Sequence, residues 1–132
     1  MMLCDTGFMV AIIGTRDNNH RRAVDALSTI RFPVITTWPC LTEAMHLVGS
    51  AGQVKLIQQI RAGAYTLQTM TLEDALRACD LMLQYVDAPM DFADASLVVA
   101  AEKAGVDRIL TFDRHFHAYQ IKGNIPFEVL PV

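Results

Sequence analysis

The sequence predicts an α/β fold, a parallel sheet of about five strands with helices on both faces. Three observations carry that expectation. Apolar residues at helical spacing alternate with short β-branched runs, several of those runs lack the polar alternation of a half-solvated strand, and 132 residues suffice for one layered core but not two. Residues 1–132 are therefore expected to form a single domain. No repeat, Ser- or Gly-rich linker or charge run divides them.

The elements follow in order. Met1 to Cys4 is a short apolar run ending at Asp5-Thr6-Gly7, and Phe8 to Ile13 begins a helix. Asp17, Asn18 and Asn19 break the chain before Ala23, Leu27 and Ile30, with Val24 beside them, mark a second helix. Pro33 to Thr36 reads as a strand. Thr37 then stands two residues before Pro39, as the cap of a helix whose face is Leu41, Met45 and Val48. Gly49 and Gly52 are expected to bracket a break before a helix with Val54, Ile57 and Ile60 on one side, ending near Gly63. Ala64 to Leu67 reads as an edge strand. Thr71 caps a helix running to about Tyr85, with acids in its first turn and an apolar set of Leu72, Ala75, Leu76, Cys79 and Leu83. Asp91 opens an apolar helix that runs through Ala104 and stops at Gly105, and strands are expected at Ile109–Phe112 and Phe127–Leu130.

Composition narrows the function classes. With 52% hydrophobic and 19% charged residues the chain is too apolar to stay disordered, and 7 Gly and 5 Pro exclude a fibrous polymer. A formal charge of -3 leaves no overall positive field, so any nucleic-acid contact must be local. Cys4, Cys40 and Cys79 are odd in number and widely spaced, which is neither a disulfide framework nor a zinc pattern. The apolar opening lacks a basic n-region and contains Asp5, and no run approaches a spanning helix. A cytoplasmic protein with no membrane partner is expected.

The chemistry lies in the carboxylates. Asp5 and Asp113 each follow a strand directly, so both should emerge at the carboxyl edge of the sheet, where open α/β folds bind ligands. Asp94 lies one turn into its helix on the stripe of Leu97, Val98 and Ala101, and Glu43 is similarly placed one turn after Thr36-Thr37. Asp91 explains itself as an N-cap. Carboxylates about 4 Å apart repel by roughly 4 kcal/mol per pair at an effective dielectric near 20, so a cluster needs a cation. Oxygen ligands without a Cys and His set suit Mg²⁺ or Mn²⁺ and the hydrolysis of a phosphodiester. A D-x-D phosphatase would need an acid where Gly7 stands, and a phosphate-receiver site lacks its acid pair and its later Lys.

Leu3-Cys4-Asp5-Thr6-Gly7, Thr42-Glu43-Ala44, Asp91-Phe92-Ala93-Asp94-Ala95 and Thr111-Phe112-Asp113-Arg114 together resemble, in order and spacing, the four acidic blocks of the PIN-domain ribonucleases, in particular the VapC-type toxins of bacterial and archaeal toxin-antitoxin pairs. The resemblance spans essentially the whole chain. It implies a three-layer PIN-like domain and a catalytic, metal-binding quartet of Asp5, Glu43, Asp94 and Asp113, with RNA cleaved by an activated water at one or two Mg²⁺ or Mn²⁺ ions. Thr6, Asp91 and Thr111 are candidates for the shell behind the acids, and Arg114 and His115 for substrate contact. Arg16, Arg21, Arg22 and Lys122 are the other cations nearest in sequence to the expected site edge. The likeness further implies a cognate antitoxin seated in an apolar groove, and a homodimer. A PIN-like module that binds RNA or protein without cleavage, and an acidic-pocket phosphatase, are the alternatives.

Overall fold

The structure, a computed structural model, describes residues 1–132. The chain runs β1 (Leu3–Cys4), α1 (Thr6–Ile13), α2 (His20–Ala26), β2 (Val34–Thr36), α3 (Trp38–Leu47), α4 (Gly49–Arg61), β3 (Tyr65–Leu67), α5 (Leu72–Gln84), α6 (Phe92–Ala104), β4 (Arg108–Leu110), β5 (Gln120–Ile121), β6 (Ile125–Pro126) and β7 (Glu128–Leu130). Five strands form one parallel sheet in the order β3-β2-β1-β4-β7, and β5 and β6 pair separately as an antiparallel ribbon. The expected edge strand is β3. The β5–β6 ribbon and the 3-10 turns at Leu27–Thr29 and Arg114–His117 were not anticipated from the sequence.

Topology decides where a ligand can sit. The chain steps from β1 to β2 to β3 in one direction, then crosses back over β1 to reach β4. Right-handed crossovers therefore put α1 to α4 on one face and α5 and α6 on the other, giving three layers. The reversal falls between β1 and β4, and the carboxyl ends of those two strands form the switch point of the sheet. Leu3 pairs with Ile109 and Cys4 with Leu110, so the residues that follow each strand leave the sheet side by side.

The core explains the short strands. Leu3, Cys4, Val34, Ile35, Ile109 and Leu110 are all buried, as strands covered on both faces must be. In α6, Ala93, Ala95, Leu97, Val98, Val99, Ala100 and Ala101 are buried together, and the small side chains let it press into the protein on nearly every side. Gly105, at φ +66, ends it with the left-handed residue that only glycine adopts freely.

Two expectations are corrected. Gly52 does not break the chain but lies buried inside α4. A Cβ there would stand 2.6 Å from Val48 Cβ and 3.2 Å from Ile13 Cγ2, so the glycine lets α4 pass close to α1. Leu56 then faces the core, while Val54 and Ile57 are exposed. The apolar set on α5 is likewise turned outward, with Leu72, Leu76 and Leu83 at 75%, 56% and 77% exposure and Cys79 also exposed. The cause is on the opposite side of the helix. Arg77 forms a two-pronged pair with Glu102 at 3.2 and 3.0 Å, and Asp74 pairs with Lys103 at 2.5 Å, so the polar residues of α5 join Ala78 and Leu81 against α6.

Candidate active site

The strand ends hold two of the predicted acids in a fixed row. Asp5 is buried, its N–H donates to the Leu110 carbonyl at 3.0 Å, and its Oδ1 accepts from the Thr6 N–H at 2.7 Å as α1 begins. The buried Thr111 hydroxyl donates to Asp5 Oδ2 at 2.7 Å and accepts from the Asp113 N–H at 3.0 Å. One hydroxyl thus joins the two strand-end acids. Asp113 Oδ1 in turn caps the following turn, accepting from the His115 N–H at 2.9 Å, with His115 Nδ1 at 2.8 Å.

The helix acids are held by their own backbone. Asp91 and Asp94 form a reciprocal capping box: Asp94 N–H donates to Asp91 Oδ1 at 2.8 Å, and Asp91 N–H to Asp94 Oδ2 at 3.1 Å. Capping therefore accounts for Asp91, as the sequence suggested. Asp94 does double service, because its carboxyl is also close enough to Asp5 to be raised by that residue's charge. The first turns of α3 and α6 are fastened by Thr37 and Ser96, whose hydroxyls meet at 2.6 Å, with Ser96 donating to the Ala93 carbonyl at 2.6 Å. That contact fixes the helix bearing Glu43 beside the helix bearing Asp94.

Electrostatics describe an over-full acidic site. Burial pushes the Asp5 carboxyl up to about 6 against the hydrogen bonds from Thr111 and Thr6, and Asp113 and Asp91 add to the rise. Burial also raises Asp94, with repulsion from Asp91 and Asp5 behind it. Glu43 is exposed and feels only Asp91 among the acids, and burial contributes the larger part of its modest rise. The structure thus brings Asp5, Asp94 and Asp113 into one field with Asp91, and leaves Glu43 at the rim. No three of these side chains converge on one ion-sized point as they stand. Their donor chemistry nonetheless fits a hard divalent cation: carboxylate oxygens, raised by burial and repulsion, beside thiols that stay protonated. Burial pushes Cys40 up to about 12 and Cys4 well above its ordinary value.

The remaining candidates divide. Thr111 lies between the acids, whereas the Thr6 hydroxyl is turned away and donates to the Cys40 carbonyl at 3.1 Å. His115 leans on Asp113 and stacks on Tyr119 at 6.4 Å between centroids, and Arg114 is exposed beside it. Tyr119 is the residue that sequence reasoning missed. Its fully buried ring packs edge-on against Phe116 and Tyr85, its hydroxyl donates to the Pro89 carbonyl, and after burial it is Asp94, Asp113, Asp91 and Asp5 that hold its phenol protonated. It lies in an irregular stretch without periodicity, so only its place after the fourth acidic block could have flagged it.

A model of the PIN domain matches residues 2–122. Ribonuclease VapC26 of Mycobacterium tuberculosis (strain ATCC 25618 / H37Rv) is 24% identical over 98% of this chain and 100% of its own length. The crystal structure of VapC20 from Mycobacterium tuberculosis, described as a Sarcin-Ricin loop cleaving toxin, superposes with a TM-score of 0.82 at 21% identity, covering 96% of this chain and 100% of that one. With its acids gathered at the switch point of a five-stranded parallel sheet, the chain belongs to the PIN-domain family.

Proposed function

We propose that this chain is a divalent-metal-dependent endoribonuclease that hydrolyses RNA phosphodiesters as the toxin of a toxin-antitoxin pair. The observation that carries the reading is the buried Asp5, tied through one Thr111 hydroxyl to Asp113 and repelling the half-buried Asp94 at the sheet's switch point. The names of the relatives, a ribonuclease and a Sarcin-Ricin loop cleaving toxin, support it.

Asp5, Asp94 and Asp113, with Glu43 reaching in from the rim, would hold Mg²⁺ or Mn²⁺. The bound ion supplies charge neutralisation and a water acidic enough to attack phosphorus. Thr111 keeps Asp5 oriented, because its single donated proton fixes Oδ2 while its lone pair fixes the Asp113 backbone. Asp91 sets the first turn of α6 and so the position of Asp94. Arg114 and His115 stand on the solvent side of Asp113, where substrate phosphates would arrive.

The partners follow from the surface. The outward stripe of Leu72, Leu76, Cys79 and Leu83 on α5, with exposed Val86 just beyond its end, is the homodimer face, since a helix that spends its polar residues on ion pairs with α6 leaves its apolar residues for another chain. The groove between α3 and α5, lined by Trp38, Pro39, Met70, Ala75 and Phe92 with Glu43 at its edge, takes an antitoxin segment. No helix is long and apolar enough to cross a membrane, and the three free thiols suit the cytoplasm.

Purified protein with Mn²⁺ or Mg²⁺ is expected to cut RNA, chelator to stop it, and Asp5→Asn to abolish it without unfolding the chain. RNA binding without cleavage in either metal would instead assign a binding module, and turnover of a small phosphate ester alone would assign a phosphatase.

A further inference from the structure

We propose a second RNA subsite, a cleft on the α2 side of the sheet that receives the nucleotides flanking the scissile bond through Arg22 and Arg108. The inference rests on the ribonuclease reading above and assigns a path to its substrate.

The cleft has a physical origin in the topology. The crossovers from β1 to β2 and β3 lead α1 to α4 away from β4 and β7, so that flank of the sheet is only partly covered by α2. The resulting space, about 500 Å³, has an apolar floor that includes Met2, Ile30, Leu110 and Leu130, with Arg22 and Arg108 among its walls. Asp25 and Thr29 also line it. An apolar floor under two guanidiniums suits a group with a flat body and an anionic end, which is what a nucleotide presents.

Three further observations favour RNA over an unattached anion. Arg22 is held in place: its guanidinium carbon lies 5.0 Å from the centroid of Phe112, whose ring stacks on buried Phe8 at 5.6 Å and 19°. Phe112 sits between Thr111 and Asp113, so the cation is moored to the segment that carries the acids. Arg108 is tethered as well: its Nε lies 3.4 Å from Glu128 Oε2, and 43% of its side chain stays exposed. The charge is also distributed unevenly. Residues 16–31 carry Arg16, Arg21, Arg22 and Arg31 against Asp17 and Asp25, a local balance of +4 - 2 = +2 in a chain of net charge -3. Basic charge on one flank, anchored next to an acidic centre, is how an acidic protein steers a polyanion past its active site.

The test measures binding of a fluorescein-labelled single-stranded RNA of about 20 nucleotides to the Asp5→Asn chain by anisotropy, across a series of salt concentrations. Adding Arg22→Ala and Arg108→Ala together is expected to weaken binding about tenfold and to flatten the slope of log affinity against log salt by about 1.4, the value for two lost phosphate contacts on a single strand. The Lys55→Ala, Arg61→Ala pair on α4 removes two cations outside the cleft and is expected to change affinity less than about twofold. Melting curves of both double variants, matching that of the parent, establish that each is folded, and Arg22→Gln with Arg108→Gln, which removes the charge but keeps most of the side chain, replaces the alanine pair with the same expected result if that pair melts early. In the otherwise native chain the Arg22, Arg108 pair should raise KM for the same RNA far more than it lowers kcat. If the native chain cuts RNA while affinity, salt slope and KM are the same with and without the two arginines, the subsite is overturned and the ribonuclease stands. If the native chain neither binds nor cuts RNA, the ribonuclease reading itself is overturned.

Discussion

The two halves of the acidic site are built differently. At the strand ends, Asp5 and Asp113 are tied to each other through Thr111, and both oxygens of Asp5 already accept hydrogen bonds from fixed donors. At the helix ends, Asp91 and Asp94 satisfy one another's backbone, and Glu43 stands exposed on α3. Asp5 is pre-organised by donors to both of its oxygens, whereas Asp94 is held only through the cap of its own helix, and burial raises both carboxyls, Asp94 the further of the two. That contrast explains why the acids repel across the site without meeting at one point. A cation bound there would relieve both carboxyls, since burial has raised Asp94 as well as Asp5.

The contrast can be broken most sharply at Asp5. Asp5→Asn is expected to lower RNA cleavage at least a hundredfold, since it removes a charged ligand while keeping the shape and the Thr6 contact, and a cleavage assay with a folded-state check by circular dichroism reads it. Asp94→Asn should approach that loss, because asparagine still caps Asp91 and only the charge disappears.

Acidity sharpens the comparison next. Asp5 takes up its proton at about 6 in the folded chain and near 4 when unfolded, so between those values the folded state holds a proton the unfolded state has shed. Without metal, stability should therefore fall as pH rises through that window, by about 3 kcal/mol in all. Melting curves in chelator are expected to show this fall, with the raised Asp94 carrying it on to higher pH, Mn²⁺ to reverse it above about pH 6, and Asp5→Asn to reduce it by the Asp5 share.

Smaller effects test the supports. Thr111→Val leaves the Asp113 N–H without its acceptor and Asp5 Oδ2 without its donor, which should cost about 1 to 3 kcal/mol of stability in denaturant melts and raise the metal concentration needed for cleavage. Gly52→Ala should cost a similar 1 to 3 kcal/mol, roughly, by forcing Val48 and Ile13 aside, with cleavage per folded molecule unchanged. Asp91→Ala removes a cap, which should cost about 1 kcal/mol, and also takes away a charge that repels Asp5 and Asp94. Leu76→Asp with Leu83→Asp is expected to turn a dimer into a monomer in sedimentation without changing the melting of the monomer core, and a native chain that sediments as a monomer would remove the α5 stripe from the account.

The strand-end half was the more legible in the sequence. Buried parallel strands are short and apolar, so an acid immediately after Cys4 or shortly after Leu110 is placed by the strand itself, and caps such as Thr37, Thr71 and Asp91 announce their helices. Helix faces were less legible because periodicity gives a stripe but not its direction. On α5 the stripe is real yet faces solvent, since Arg77 and Asp74 find partners on α6 that no local pattern reveals. On α4 a glycine that reads as a break is instead the point of closest approach to α1. Glu43 shows the same limit: its spacing puts it near the apolar stripe of α3, but its distance from the strand acids depends on how α3 and α6 are joined through Thr37 and Ser96. Tyr119, fixed by tertiary contacts alone, had no signal of its own.

The most direct measurement is the anomalous scattering of Mn²⁺ in crystals of the native chain at pH above about 7, where Asp5 is ionised. The account predicts a peak within coordinating distance of an Asp5 oxygen, with Asp94 or Asp113 completing the contact and Thr111 still bound to Asp5. A peak lying elsewhere on the surface, or none at metal concentrations that support RNA cleavage, would contradict it.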